Sequence, residues 1–104
     1  MRSFGVVWNK NMHIRYSKQA SNFLENLYKS IYEDKPSVAK IFVNDFQRYI
    51  ELLQISPYMG KECIHKNIQD DCRVVIYKKN YIIVYKILKD TIFIKTIRNT
   101  KTKG

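Results

Sequence analysis

The side chains best able to do chemistry in this sequence are a histidine and a set of cations. His65 and Lys66 precede a polar turn, Arg73 opens an apolar stretch, and Arg98, Lys101 and Lys103 gather at the far end. His65 titrates near neutrality and so could move a proton, but no acid or base partner stands beside it in sequence, which favours an ordinary sheet-edge histidine. Arg73 has two readings. It contacts a phosphate or a target protein, or it holds the Asp70-Asp71 turn by an ion pair contributing under about 1 kcal/mol. Arg98, Lys101 and Lys103 either engage a target or fray in solvent. Cys63 and Cys72 lie nine residues apart with no Cys-x-x-Cys, and with His13 and His65 they do not complete a zinc-binding spacing, so neither a metal nor a cofactor is expected. Reduced thiols acting as small apolar residues are the expectation; whether the two ever meet across a turn is left open.

These residues hang on a scaffold whose centre is the stretch from Arg73 to Arg98. Arg-Val-Val-Ile-Tyr, Tyr-Ile-Ile-Val-Tyr-Lys-Ile-Leu and Thr-Ile-Phe-Ile-Lys-Thr-Ile-Arg are separated by Lys-Lys-Asn and Lys-Asp. Branched and aromatic side chains suit a pleated surface, and breaks this short are hairpin connections, so the stretch predicts an antiparallel meander. Neither break holds Asn-Gly or Asp-Gly, leaving Asn80 and Asp90 as the residues expected to tolerate a left-handed backbone. Tyr81–Leu88 carries one charge, Lys86, as an inner strand covered on at least one side would.

The cover must come from upstream. His13-Ile14-Arg15-Tyr16 alternates like a short strand and is followed by Ser17, a helix-capping residue. From Lys18 to Glu33 the apolar positions Ala20, Phe23, Leu24, Leu27, Tyr28 and Ile31 have helical spacing. Asp34-Lys35-Pro36 breaks the pattern and starts a second helix, whose stripe is Val38, Ile41, Phe42, Phe46, Tyr49, Ile50 and Leu53. Ser56-Pro57-Tyr58-Met59-Gly60 ends it. Helices joined so closely pack as an antiparallel hairpin. Lys61–Lys66 reads as a short strand or a loop. The expected fold is α+β: an N-terminal strand, a helical hairpin, then a three- to four-stranded antiparallel sheet packed against the helices. Residues 1–11 read either as an extension ahead of a start at Met12 or as an edge strand over Phe4–Trp8.

With 104 residues the chain is expected to form one domain, spanning 1–104 with a basic tail at 99–104. The hydrophobic fraction of 45% with only 3 Gly and 2 Pro excludes a low-complexity segment. Nineteen Lys and Arg against nine Asp and Glu give a net charge of +10, a field that attracts polyanions or an acidic partner. The excess is uneven: residues 61–104 hold 11 basic and 4 acidic residues, making the sheet half the expected contact surface. No signal peptide is recognisable, and no apolar run approaches the roughly 20 residues that cross a bilayer, so a cytoplasmic protein is expected.

The order of strand, helical hairpin, Pro-x-Met-Gly and meander resembles the RelE/ParE superfamily of toxins from bacterial type II toxin–antitoxin pairs. The resemblance is carried by Ile14-Arg15-Tyr16-Ser17 with Ala20 and Leu24, by Pro57-Tyr58-Met59-Gly60, by Arg73, and by Tyr81-Ile82-Ile83-Val84-Tyr85 with Ile94 and Ile97. It implies one of two activities. RelE-like toxins are metal-independent nucleases that cut messenger RNA on the ribosome, which needs a base, a leaving-group acid and cations for the phosphate. Lys61, His65, Lys66, Arg73 and Arg98 are the candidates for those roles. ParE-like toxins inhibit DNA gyrase by binding it, and Arg73, Arg98 and Lys101 are the corresponding target-binding candidates. After Ile97 the chain reads Arg-Asn-Thr-Lys-Thr-Lys-Gly with no closing Tyr or His, a departure from the RNA-cleaving pattern, and Arg98 or Asn99 stands near the place of the His usual in ParE-like toxins; the long helical hairpin and the Pro-x-Met-Gly turn favour the ParE-like branch. The resemblance also implies an acidic antitoxin with a disordered segment that folds on this surface, in a heterotetramer or larger assembly. Outside the family reading, a non-toxic basic nucleic-acid-binding module remains the alternative.

Overall fold

A computed structural model describes residues 12–63 and 72–100. The readings placed on residues 1–11, on His65 and Lys66, on Asp70 and Asp71, and on Lys101 and Lys103 lie outside the described residues.

Strand β1 (His13–Tyr16) leads into helix α1 (Lys18–Asp34) through Ser17, whose Oγ accepts the Ala20 N–H at 3.0 Å and caps the first turn. Lys35 alone separates α1 from α2 (Pro36–Glu51), and Pro36 sits in the first turn of α2, where its missing N–H costs no hydrogen bond. Two 3₁₀ turns, Leu52–Gln54 and Pro57–Met59, carry the chain to β2 (Lys61–Glu62). The meander follows as β3 (Cys72–Tyr77), β4 (Tyr81–Leu88) and β5 (Thr91–Asn99).

Among the described residues the sheet has five strands, in the order β1-β5-β4-β3-β2. The four strands β2 to β5 form the expected antiparallel set, and β1 adds to it in parallel beside β5, with His13 opposite Thr91 and Tyr16 opposite Ile94. A parallel neighbour requires a crossover, which the helical hairpin supplies.

Strand pairing sorts the side chains onto two faces. Val75, Ile83 and Ile97 face the helices, together with Tyr77, Tyr81 and Tyr85. These meet Ala20, Leu24, Phe46, Ile50 and Leu53 in one core. Phe42, Phe46, Tyr77 and Tyr81 pack ring on ring, with Phe46 and Tyr77 centroids 4.6 Å apart. The helical stripe differs from expectation at its start: Ala39 is buried, while Val38 and Ile41 lie in solvent, Ile41 at 64% exposure. The small Ala39 side chain takes the inward position close to the bend, and the two branched residues fall to its flanks.

β5 contains a bulge. Val84 pairs with Thr96 but Tyr85 pairs with Ile94, so Lys95 is an extra residue. Ser17 holds it in place, its N–H donating to the Ile94 carbonyl at 3.0 Å and its hydroxyl to the Lys95 carbonyl at 2.7 Å. Beyond the end of β1, the Gln19 amide acts as a substitute strand: Nε2 donates to the Ile97 carbonyl and Oε1 accepts the Ile97 N–H, both at 3.1 Å. The edge of β5 is thereby satisfied at Ile97, where β1 does not reach it.

The β3–β4 hairpin corrects one expectation. Lys78 and Lys79, rather than Asn80, adopt positive φ, 48° and 61°, and Asn80 N–H closes the turn on the Tyr77 carbonyl at 3.1 Å. Two consecutive left-handed residues match the twist of a hairpin, and the tertiary fold imposes this shape on side chains that disfavour it. Replacing Lys78→Asn together with Lys79→Gly should therefore stabilise the protein by about 1–2 kcal/mol. Urea unfolding of the purified variant checks this.

Candidate functional site

The turn that ends the helical hairpin is fastened to the sheet by a tyrosine. Tyr85 is fully buried on β4, and its hydroxyl donates to the Pro57 carbonyl at 2.7 Å while accepting the Gly60 N–H at 3.0 Å. Burial pushes the phenol pKa up, an effect opposed by the Gly60 N–H and by the Arg73 guanidinium nearby. The approach is so close that a Cβ on Gly60 would sit 2.7 Å from Tyr85 Oη and 2.8 Å from the Val74 carbonyl oxygen. Pro57-Tyr58-Met59-Gly60 thus needs glycine at its last position for space.

Arg73 completes this clasp. Directly opposite Tyr85 on β3, it donates from Nη1 to the Gly60 carbonyl at 2.7 Å, and its Nη2 meets Glu62 Oε2 at 3.4 Å. The guanidinium lies 4.8 Å from the centroid of the Tyr58 ring, which stays 66% exposed. Among the described residues its acidic partner is Glu62 of β2. A charged group buried to this degree, with a carbonyl, a carboxylate and a ring around it, holds the turn in shape.

Arg98 is placed differently. It pairs with Ile82 on the face turned away from the helices, is exposed, and borders a surface cleft of about 440 Å³ with Gln19, Phe23, Asn99 and Thr100. Strand register puts Lys61, Val74, Val84, Lys86, Phe93 and Thr96 on that same face. Arg73 and Arg98 therefore lie on opposite faces of the sheet, and the structure does not bring these two candidate residues together. Sequence inspection missed Tyr85 as the fastener of the turn and Gln19 as the partner of β5. Nothing in local spacing signals either contact, because Tyr85 lies 25 residues from Gly60 and Gln19 lies 78 from Ile97.

Among the described residues, no group of three or more His, Cys, Asp or Glu is positioned to hold a metal ion, and no helix is long and apolar enough to cross a membrane.

A β-α-α-β-β-β-β chain with its helices on one face of a mixed sheet and a basic, half-apolar opposite face is the architecture of small RelE/ParE-type toxins. Residues 14–103 match the family described as "ParE toxin of type II toxin-antitoxin system, parDE", and the chain belongs to this family. Among solved structures, it is similar to a chromosomal ParDE toxin–antitoxin system from P. aeruginosa, with a TM-score of 0.69 and 16% identity over 86% of this chain and 96% of that one. It is also similar to the archaeal RelE–RelB complex from Pyrococcus horikoshii OT3, with a TM-score of 0.56 and 15% identity over 89% of this chain and 99% of that one. At such identities these likenesses speak to the fold. No curated protein sequence matches the chain.

Two substitutions test the clasp. Tyr85→Phe removes one hydroxyl and leaves the Pro57 carbonyl and Gly60 N–H without their partner, and should cost about 1–3 kcal/mol. Gly60→Ala pushes a methyl into Tyr85 Oη and a backbone carbonyl and should cost a similar 1–3 kcal/mol or about that. Chemical denaturation of both variants against the parent measures the losses, and the two together should lose less than their sum because they break one shared contact.

Proposed function

We propose that this toxin acts by binding DNA gyrase and stalling it, with no catalysis of its own, and that a cognate acidic antitoxin neutralises it. The observation that carries this reading is the placement of Arg73. Its guanidinium is turned beneath Tyr58 and committed to Gly60 and Glu62, which suits a residue that shapes a recognition surface better than one aimed at a scissile phosphate. The ParE family match and a helical hairpin of 17 and 16 residues support the same branch. Arg98, exposed on the basic face, is the described residue best placed to touch the target, and Lys101 beyond it belongs to the same basic end of the chain.

That the similar structures are a ParDE toxin–antitoxin system and a RelE–RelB complex supports an antitoxin partner for this chain as well. Leu52 and Ile55 are exposed beside a cleft of about 630 Å³ that reaches Tyr49 and Tyr77, where an apolar side chain of a folding antitoxin segment would be buried. The net charge of +10 would steer an acidic segment toward it at low salt.

Purified protein should block the supercoiling of relaxed plasmid by gyrase, and Arg98→Glu should weaken that block by about tenfold without altering thermal stability. Unimpaired supercoiling, together with breaks at the ribosomal A site in translated messages after induction, would instead assign the chain to the RNA-cleaving branch.

A further inference from the structure

The chain's only two cysteines face each other across the outermost pair of strands. Cys63 follows β2 and Cys72 begins β3; their Cα atoms are 5.4 Å apart, the Cys63 N–H donates to the Cys72 carbonyl at 3.0 Å, and their sulfurs are bonded. By register the pair belongs to the face turned away from the helices, outside the cluster that joins helices to sheet. The bond is therefore not what assembles the core. Cys63 is half-exposed, so a small thiol can reach it, whereas Cys72 is buried.

We propose that Cys63 and Cys72 form a reversible thiol–disulfide switch that clamps the edge strand β2 to β3. The co-reactant is a small-molecule disulfide of the glutathione type. The Cys63 thiolate attacks one sulfur of glutathione disulfide, forms a mixed disulfide and expels one glutathione thiolate. The Cys72 thiolate then attacks Cys63 Sγ and expels the second. The two protons shed by the cysteines pass to the two glutathiones, and two electrons leave the protein. Glutathione thiolate drives the reverse.

The mechanical consequence follows from what holds β2 among the described residues. Its two residues pair with Val74 and Arg73, and Glu62 is the acidic partner of the Arg73 guanidinium that grips Gly60. In the oxidised form the Sγ–Sγ bond fixes Glu62 next to Arg73 and keeps the Pro57–Gly60 turn, with its exposed Tyr58 and Met59, in one shape. In the reduced form β2 frays and the turn loses one of its supports. This inference does not depend on gyrase being the target.

The test uses the full chain equilibrated across glutathione buffers from strongly reducing to strongly oxidising, quenched with a maleimide and weighed by mass spectrometry. The expected result is a two-electron transition with its midpoint inside that range. The Cys63 amide should exchange with deuterium about tenfold more slowly in the oxidised form, and the Cys63→Ser/Cys72→Ser variant should exchange like the reduced form. A pair that ignores every glutathione ratio, or equal exchange in both redox forms, would each overturn the switch.

Discussion

One extra residue in β5 decides which side of this sheet is core and which is surface. Ile92, Ile94 and Ile97 all reach the helices although their spacing cannot share a face in a regular strand, where positions alternate. Lys95 absorbs the mismatch. Downstream of it the alternation restarts one residue late, so Ile97 turns inward and Thr96 and Arg98 turn outward; an unbroken strand would drive Arg98 under the helices. Ser17 is the device that fixes the position, since its backbone N–H holds the Ile94 carbonyl and its hydroxyl holds that of Lys95 while capping α1. A single serine thus ties the start of the helical hairpin to the point where the sheet changes face. Gln19, two residues further on, meets Ile97 from the same helix end.

With the faces settled, the chain's polar chemistry divides cleanly. On the helix side, the buried Tyr85 hydroxyl and the Arg73 guanidinium are both spent on the turn after the hairpin, and Gly60 is small because the Tyr85 ring and the Val74 carbonyl come so near. A buried hydroxyl that both donates and accepts leaves no group unsatisfied, which is why such a turn can sit against a core. The clasp then reaches outward through Glu62 to the edge strand and through Tyr58 to solvent, so the shape of the exposed turn is set from inside the protein. On the opposite face, Lys61, Lys86 and Arg98 stand among Val74, Ile76, Ile82, Val84, Phe93 and Thr96, a surface of mixed basic and apolar character.

The elements with strong periodicity were readable from residue types alone. Ser17 and Pro36 mark the starts of α1 and α2 where their capping and first-turn chemistry places them, and the three apolar runs after Cys72 form the meander. Contacts remote in sequence were not readable. Parallel pairing of β1 with β5 depends on where the hairpin returns the chain, and the left-handed backbone at Lys78 and Lys79 follows from strand twist overriding side-chain preference. The candidate residues divide in the same way. Spacing identified Arg73 and Arg98 as cations worth attention, but only the fold separates one gripping a turn from one facing solvent. Tyr85 looks in sequence like any aromatic of an inner strand; its role as the fastener of a distant glycine is a tertiary fact.

The account rests on the face change at Lys95, and exchanging the two residues after it tests that change directly. In a double variant Thr96→Ile/Ile97→Thr, composition and strand propensity are nearly preserved while the apolar side chain moves to the neighbouring position. Because Ile97 faces the helices and Thr96 does not, the exchange should lower unfolding free energy in urea by about 2–5 kcal/mol, the loss expected when a core isoleucine is emptied and a hydroxyl is buried in its place. A variant as stable as the parent, or more stable, would mean that β5 alternates without interruption, that Thr96 lies under the helices, and that the two faces assigned here are wrong.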